Sequence, residues 1–268
     1  MEIFKTMTVS ILAATIGLTM SHAIASQSGG AEKHATKTNK SSHGNAHWGY
    51  GNDNGPNAWG DMSEDYHTCK AGQNQSPVDI REAVNRGLDK LEFHYSPSSL
   101  AIINNGHTIQ VNYSGNSYLL AGGKRYNLIQ FHFHAPSEHK IAGRASPMEM
   151  HLVHQATDGR LAVVGVMINR GVTNYNLQKA WDHLPSSVGN VNTYGSITIN
   201  ASSLLPSDKS YYHYNGSLTT PPCSEGVNWF VLQNPIQISP KQVKAFRNLV
   251  EDNARIIQPL HGRTMMSR

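Results

Sequence analysis

Leu128-Ile129-Gln130-Phe131-His132-Phe133-His134-Ala135-Pro136 is the stretch from which the rest of the chain is best read. Two histidines stand two residues apart among large apolar and aromatic neighbours. Such a run reads as a β-strand, in which successive side chains point to opposite faces. Gln130, His132 and His134 are then expected on one face. Ile129, Phe131 and Phe133 are expected on the other, packed into the core. Two neutral imidazoles projecting together from a rigid strand make half of a zinc site.

A third ligand is expected from Glu149-Met150-His151-Leu152-Val153-His154. As a strand, this run places Glu149, His151 and Val153 on one face and Met150, Leu152 and His154 on the other. Beside the first strand, His151 joins His132 and His134. Three histidines without a cysteine suit a catalytic Zn2+ with an open fourth position better than a closed structural site. Water held at that position ionises near neutral pH.

Around these two runs the chain alternates short strand-like segments with turn residues. Leu91 to Tyr95, Thr108 to Tyr113, Ser117 to Leu120, Tyr126 to His134, Glu149 to Gln155 and Leu161 to Ile168 are expected strands. Ser196 to Ile199, Tyr211 to Tyr214, Asn228 to Leu232 and Ile236 to Ile238 follow. Short Gly- and Asn-containing connections between several of them imply antiparallel neighbours. Helical patterns cover Tyr175 to His183, and Pro240 to Asn248 with Ser239 as N-cap. One mainly β domain with peripheral short helices is expected over residues 47–268, with no second linker and no internal repeat.

Before that domain, residues 1–25 read as a secretory signal peptide. Lys5 precedes a mostly apolar run, and Ala23-Ile24-Ala25 supplies a small-residue cleavage site. Residues 26–46 are polar and rich in Ser, Gly, Lys, Thr and His, and are expected to form a flexible arm. The apolar run is too short to span a bilayer comfortably, so no stable membrane anchor is expected and the mature chain is exported. A net charge of +4 over 268 residues, without an arginine-rich helix or dense basic patch, argues against nucleic acid as a partner. In an oxidising compartment the two cysteines, Cys69 and Cys223, are expected to pair; two free buried thiols are the alternative.

Six motifs, the two histidine-bearing runs among them, occur in order: Gln73-x-Gln75-Ser76-Pro77-Val78-Asp79-Ile80, Asn105-Gly106-His107, Gln130 to His134, Ser137-Glu138-His139, Glu149 to His154, and Gly216-Ser217-Leu218-Thr219-Thr220-Pro221-Pro222-Cys223. From about Trp48 to Arg263 the chain resembles an α-class carbonic anhydrase, and its exported form with two cysteines resembles the bacterial members. The resemblance implies a large twisted, mostly antiparallel central sheet with a conical cleft. It implies reversible hydration of carbon dioxide to bicarbonate and a proton, by attack of a zinc-bound hydroxide. His132, His134 and His151 stand at the ligand positions. Gln130 and Glu149 stand where the family supports the first and third ligands.

By the same resemblance Thr219 accepts from the hydroxide and donates to Glu138, and Thr220 lines the bicarbonate pocket. Val153, Leu161, Val163, Leu218, Val227 and Trp229 match the apolar wall for carbon dioxide. His107 matches the proton shuttle, with Tyr50, Asn105 and Gln110 holding the intervening waters. Gln110 stands where the best-known members have asparagine. Ala254 and Ile256 replace a tryptophan and a proline, a difference expected to matter for packing. Carbon dioxide, bicarbonate and water are the implied partners, and the periplasm the implied compartment. The other readings are a non-catalytic binding protein on the same fold, a zinc carrier using the histidine-bearing arm, and an esterase side activity.

Overall fold

The computed structural model describes residues 47–268. The expected leader, residues 1–25, and arm, residues 26–46, lie outside the described residues. A 12-stranded sheet dominates. Its main path runs Asn192–Ile199, Ser98–Asn104, Ile109–Asn112, Lys124–His134, Met148–Gln155, Leu161–Arg170, Glu225–Ile238, Tyr211–Ser217, Met266–Ser267, Val84–Asn85. Neighbours are mostly antiparallel. Within this sheet Leu161–Arg170 runs parallel to Glu225–Ile238, and Met266–Ser267 parallel to Val84–Asn85. The sheet is therefore mixed, with an antiparallel majority.

The two histidine-bearing strands are neighbours at its centre, Lys124–His134 and Met148–Gln155, paired with His132 opposite His151 and His134 opposite Glu149. This register brings three imidazoles to one face. The opposite face packs Phe131, Phe133, Met150 and Leu152, all fully buried, into the larger core. That burial holds the two histidine-bearing strands rigid from behind.

The expectation for Ile129 is overturned. It is 40% exposed, whereas Tyr126 and Leu128 are buried. Gln130 pairs with Val153 but Leu128 pairs with His154, so the ladder carries a bulge at Ile129. An extra residue in one strand resets the alternation. Core-facing parity thus passes from Phe131 to Leu128, and Ile129 is left out.

Asn228 to Leu232 and Ile236 to Ile238 are one continuous strand rather than two. The register against Leu161–Arg170 shifts between Val166 and Ile168, opposite the Gln233-Asn234-Pro235 segment. Proline has no N–H to give the ladder, and an irregularity accommodates it. Ser98–Asn104 is a strand that the sequence pattern did not announce, because Leu100-Ala101-Ile102-Ile103 is apolar without alternation. The two expected helices form as Tyr175–Trp181, ending two residues short of expectation, and Pro240–Arg247. The second starts on a capping box: Ser239 Oγ accepts from Gln242 N–H and the Gln242 side chain accepts from Ser239 N–H.

Cys69 and Cys223 form a disulfide across 154 residues of sequence. It joins the Thr68–Ala71 helical turn to the end of the Thr219–Pro222 loop.

Candidate active site

His132, His134 and His151 offer ligand atoms that all lie within 4.8 Å of one another. Each ring has one nitrogen engaged by a partner. His132 Nδ1–H donates to Gln130 Oε1 at 2.8 Å, and His134 Nδ1–H donates to the Asn253 carbonyl at 2.7 Å. His151 Nε2–H donates to Glu149 Oε1 at 2.9 Å. The free nitrogens are therefore Nε2, Nε2 and Nδ1. A donor on one side of an imidazole fixes the tautomer and leaves a lone pair on the other.

His134 Nε2 and Glu138 Oε2 are both buried with no hydrogen-bond partner. Buried polar atoms are rarely left so. A lone pair unused by the protein, beside two like it, is the donor set a tetrahedral Zn2+ requires. The residues present fit that ion. Burial holds all three rings neutral: it pushes His132 well below the usual histidine range, His134 down to about 4, and His151 down as well. Neutral imidazole is the form that binds a metal.

Behind His151 runs an oriented chain of hydrogen bonds. Glu149 is fully buried. Its Oε2 accepts from the Glu138 and His139 amides at 3.0 and 2.9 Å. Its Oε1 accepts from His139 Nδ1–H at 2.8 Å as well as from His151. Burial alone raises a carboxyl pKa, but His139 and His151 outweigh it and hold Glu149 well below the usual carboxylate range. With Nδ1 protonated, His139 Nε2 accepts from Tyr214 OH at 2.7 Å, and Tyr214 in turn accepts from Ser76 Oγ at 2.8 Å.

Two glycines make room for this chain. A Cβ on Gly165, which lies opposite His151, would stand 2.9 Å from Glu149 Oε1. One on Gly216 would stand 2.1 Å from Ser76 Oγ.

Glu138 sits at the other side of the trio, its Oε2 3.5 Å from His134 Nε2 and 3.8 Å from His151 Nδ1. Its Oε1 accepts from the Arg255 amide at 2.9 Å. Burial raises Glu138 to about 7, outweighing the lowering by His151, the Arg255 amide and the Thr219 hydroxyl. Thr219 is buried in a loop whose turn is closed by Cys223 N–H donating to Thr220 O at 2.9 Å.

A cavity of about 140 Å³ opens over the histidines. Tyr50, Asn105, His107, Gln110, Gln130, His132, His134 and Thr220 line it, together with Trp48 and Thr108. Trp48 stacks on the His107 ring with centroids 3.6 Å apart. Burial and the neighbouring His47 lower the His107 pKa below the usual histidine value. Asn105 Oδ1 is occupied by the His107 and Thr108 amides at 2.9 Å each, and Gln110 Nε2 donates to Asn112 at 2.6 Å.

None of the six apolar candidates lines that cavity. Val153, Leu161, Val163, Leu218, Val227 and Trp229 instead belong together to a second apolar cluster. It reaches the trio through Trp229, whose ring lies 4.8 Å from that of His151. The sequence had given no role to His139, Asn253 or the Arg255 backbone. Their partners lie 10, 119 and 117 residues away, and only His139, beside Glu138 in a quoted motif, carried a signal.

The sequence model of the eukaryotic-type carbonic anhydrase family matches residues 54–268. The chain is 43% identical over 222 residues to a carbonic anhydrase of Pectobacterium carotovorum, covering 82% of this chain and 90% of that one. It is 43% identical over 234 residues to a carbonic anhydrase of Neisseria gonorrhoeae, covering 86% and 92%. The solved structure of the α-carbonic anhydrase from Thermovibrio ammonificans, in complex with the inhibitor sulfanilamide, superposes with a TM-score of 0.81 at 44% identity, over 83% of this chain and all of the other.

Proposed function

We infer the details of the reaction from the premise that this chain belongs to the eukaryotic-type carbonic anhydrase family. It is a carbonic anhydrase, an enzyme for the reversible hydration of carbon dioxide to bicarbonate and a proton. The observation that carries the assignment of residues is the set of three convergent free nitrogens on His132, His134 and His151. These nitrogens would hold Zn2+, which when bound supplies a hydroxide nucleophile at neutral pH.

Gln130, the Asn253 carbonyl and Glu149 keep each ligand proton on the far nitrogen. Glu138, ionised beside the positive charge of the loaded trio, can only accept a hydrogen bond. The Thr219 hydroxyl then donates to it and presents a lone pair to the cleft, which aims the nucleophile. Val153, Leu161, Val163, Leu218, Val227 and Trp229 exclude water from the side on which apolar carbon dioxide approaches. Thr220 lines the product side.

His107 carries the proton from cleft to buffer, with Tyr50, Asn105 and Gln110 holding the waters between. The disulfide and the leader-like residues 1–25 support an exported enzyme, placed in the periplasm where the cell has an outer membrane. Among the described residues no helix is long and apolar enough to cross a membrane.

Thr219→Val tests the directional reading, because it keeps shape and removes the hydroxyl. The expected result is a kcat/KM for hydration lower by about 10²-fold, the usual scale for losing one preorganised hydrogen bond, with zinc content unchanged. An unchanged kcat/KM would remove Thr219 from its role.

A further inference from the structure

Asn253 touches three parts of the site at once. It is 1% exposed. Its Oδ1 accepts from the Ala135 amide at 2.8 Å, and its Nδ2 donates both to the Phe133 carbonyl and to the His107 carbonyl, each at 3.0 Å. Phe133 lies between the ligands His132 and His134. One planar amide thus spans from the backbone of the proposed proton shuttle to the middle of the ligand strand. We propose that the Asn253 side chain is the positioning residue that fixes His107 at its working distance from the metal ligands. This rests on the reading of His107 as the proton exit.

The bonding of the His107 turn is what gives this one contact its weight. Most of its hydrogen bonds close on the turn itself. Asn104 Oδ1 takes the Gly106 amide at 3.0 Å, and Asn105 Oδ1 takes those of His107 and Thr108. Gly106, at φ 87°, allows the tight reversal. The bonds that leave the turn start from its ends: Asn104 O accepts from Gly189 N–H, and Thr108 Oγ1 bonds Phe133 O. Among the described residues, only Asn253 bonds the His107 backbone from outside the turn. The ring itself leans on Trp48 in a near-parallel stack, 8° between planes. A stack restrains tilt more than sliding, since offset arrangements are close in energy. The carbonyl tie therefore sets where along Trp48 the ring sits, and so the length of the water path to the trio.

Hydration and proton exit fall in different steps. Interconversion of carbon dioxide and bicarbonate sets kcat/KM, whereas a proton that leaves after product limits kcat at low buffer. A looser His107 should therefore lower kcat alone.

The experiment compares the zinc-loaded full chain with Asn253→Ala, Asn253→Asp and His107→Ala. Asn253→Ala strips the Ala135 amide of its acceptor and is at risk of misfolding; Asn253→Asp keeps an acceptor there and removes the two donors. Both are read by steady-state hydration at low buffer, by zinc content, and by hydrogen exchange of the turn amides. For either variant the expected kcat is lower by up to about 10²-fold, the scale for a group misplaced by about 1 Å, with kcat/KM within about twofold. Added imidazole restores kcat, zinc content is unchanged, and the His107 and Thr108 amides exchange faster while those of Lys124–His134 do not.

Equal loss of kcat and kcat/KM would overturn the proposal, since Asn253 would then act through the ligands. So would an unchanged kcat, or unchanged exchange of the turn. If His107→Ala itself leaves kcat intact at low buffer, the shuttle reading falls and takes this proposal with it. If His107→Ala lowers kcat and the Asn253 variants do not, only the proposal falls.

Discussion

His134 Nε2 and Glu138 Oε2 face each other 3.5 Å apart inside the protein, and neither has a hydrogen-bond partner. Two lone pairs turned toward one another in a low-dielectric interior repel, and each has given up its solvation. The arrangement makes sense as a site whose remaining member is a cation. Zinc binding should therefore stabilise the fold as well as equip it.

For zinc at about a thousand times its dissociation constant, linkage gives roughly 4 kcal/mol. In a domain of this size that corresponds to a Tm higher by about 10 °C. Calorimetry of the chelated and zinc-restored protein measures it. Coincident transitions would mean that the trio does not bind zinc in the folded state.

The glycine opposite His151 gives a second test. Gly165→Ala places a methyl 2.9 Å from Glu149 Oε1, closer than such contacts allow. The carboxylate must shift, and His151 loses the acceptor that fixes its tautomer. Displacing such a partner costs about 10- to 100-fold in metal affinity. Competition with a chromogenic chelator reads this directly. An affinity equal to that of the parent chain would show that Glu149 does not tune His151.

His154 links stability to pH away from the site. It is fully buried, with Nδ1–H on the Ala162 carbonyl at 3.2 Å and Nε2 accepting from Tyr95 OH at 2.6 Å. Burial pushes it down from 6.5 to about 4. Below pH 6.5 the unfolded chain takes up a proton that the folded chain refuses until about pH 4. The unfolded state then binds more protons, so stability rises with pH and is lost as pH falls through that window. The expected loss from this one group is roughly 2 kcal/mol by pH 5. Urea unfolding at pH 7.5 and pH 5 on the parent and on His154→Gln would show a pH-dependent loss smaller by that amount in the variant. Equal losses would mean His154 is already protonated in the fold.

The histidine trio that the structure brings together could be read from the sequence because two simple facts coincide there. A strand repeats every two residues, and histidine is the residue whose neutral form binds zinc. His132, His134 and, by pairing, His151 follow from those facts without any knowledge of distant contacts. Ile129 could not be placed that way. Its exposure comes from a bulge, and a bulge is a property of two paired strands rather than of one. The supports of the site were hidden for a similar reason. Asn253 O reaches His134 across 119 residues and the Arg255 amide reaches Glu138 across 117, and neither is marked by residue type, since any backbone could serve. The resemblance supplied Thr219, Glu138 and His107. Its apolar wall is a cluster that reaches His151 through Trp229, and none of its members lines the cavity lined by His107 and Gln110.

His132, His134 and His151 are proposed to hold the metal on which hydration of carbon dioxide depends. Stopped-flow hydration of carbon dioxide, with zinc measured on the same sample, tests it most directly in the parent chain and in His132→Ala. The parent is expected to carry one zinc per chain and to turn over rapidly, and His132→Ala to lose both zinc and hydration. Full activity in His132→Ala, or in a parent sample free of metal, would contradict the account.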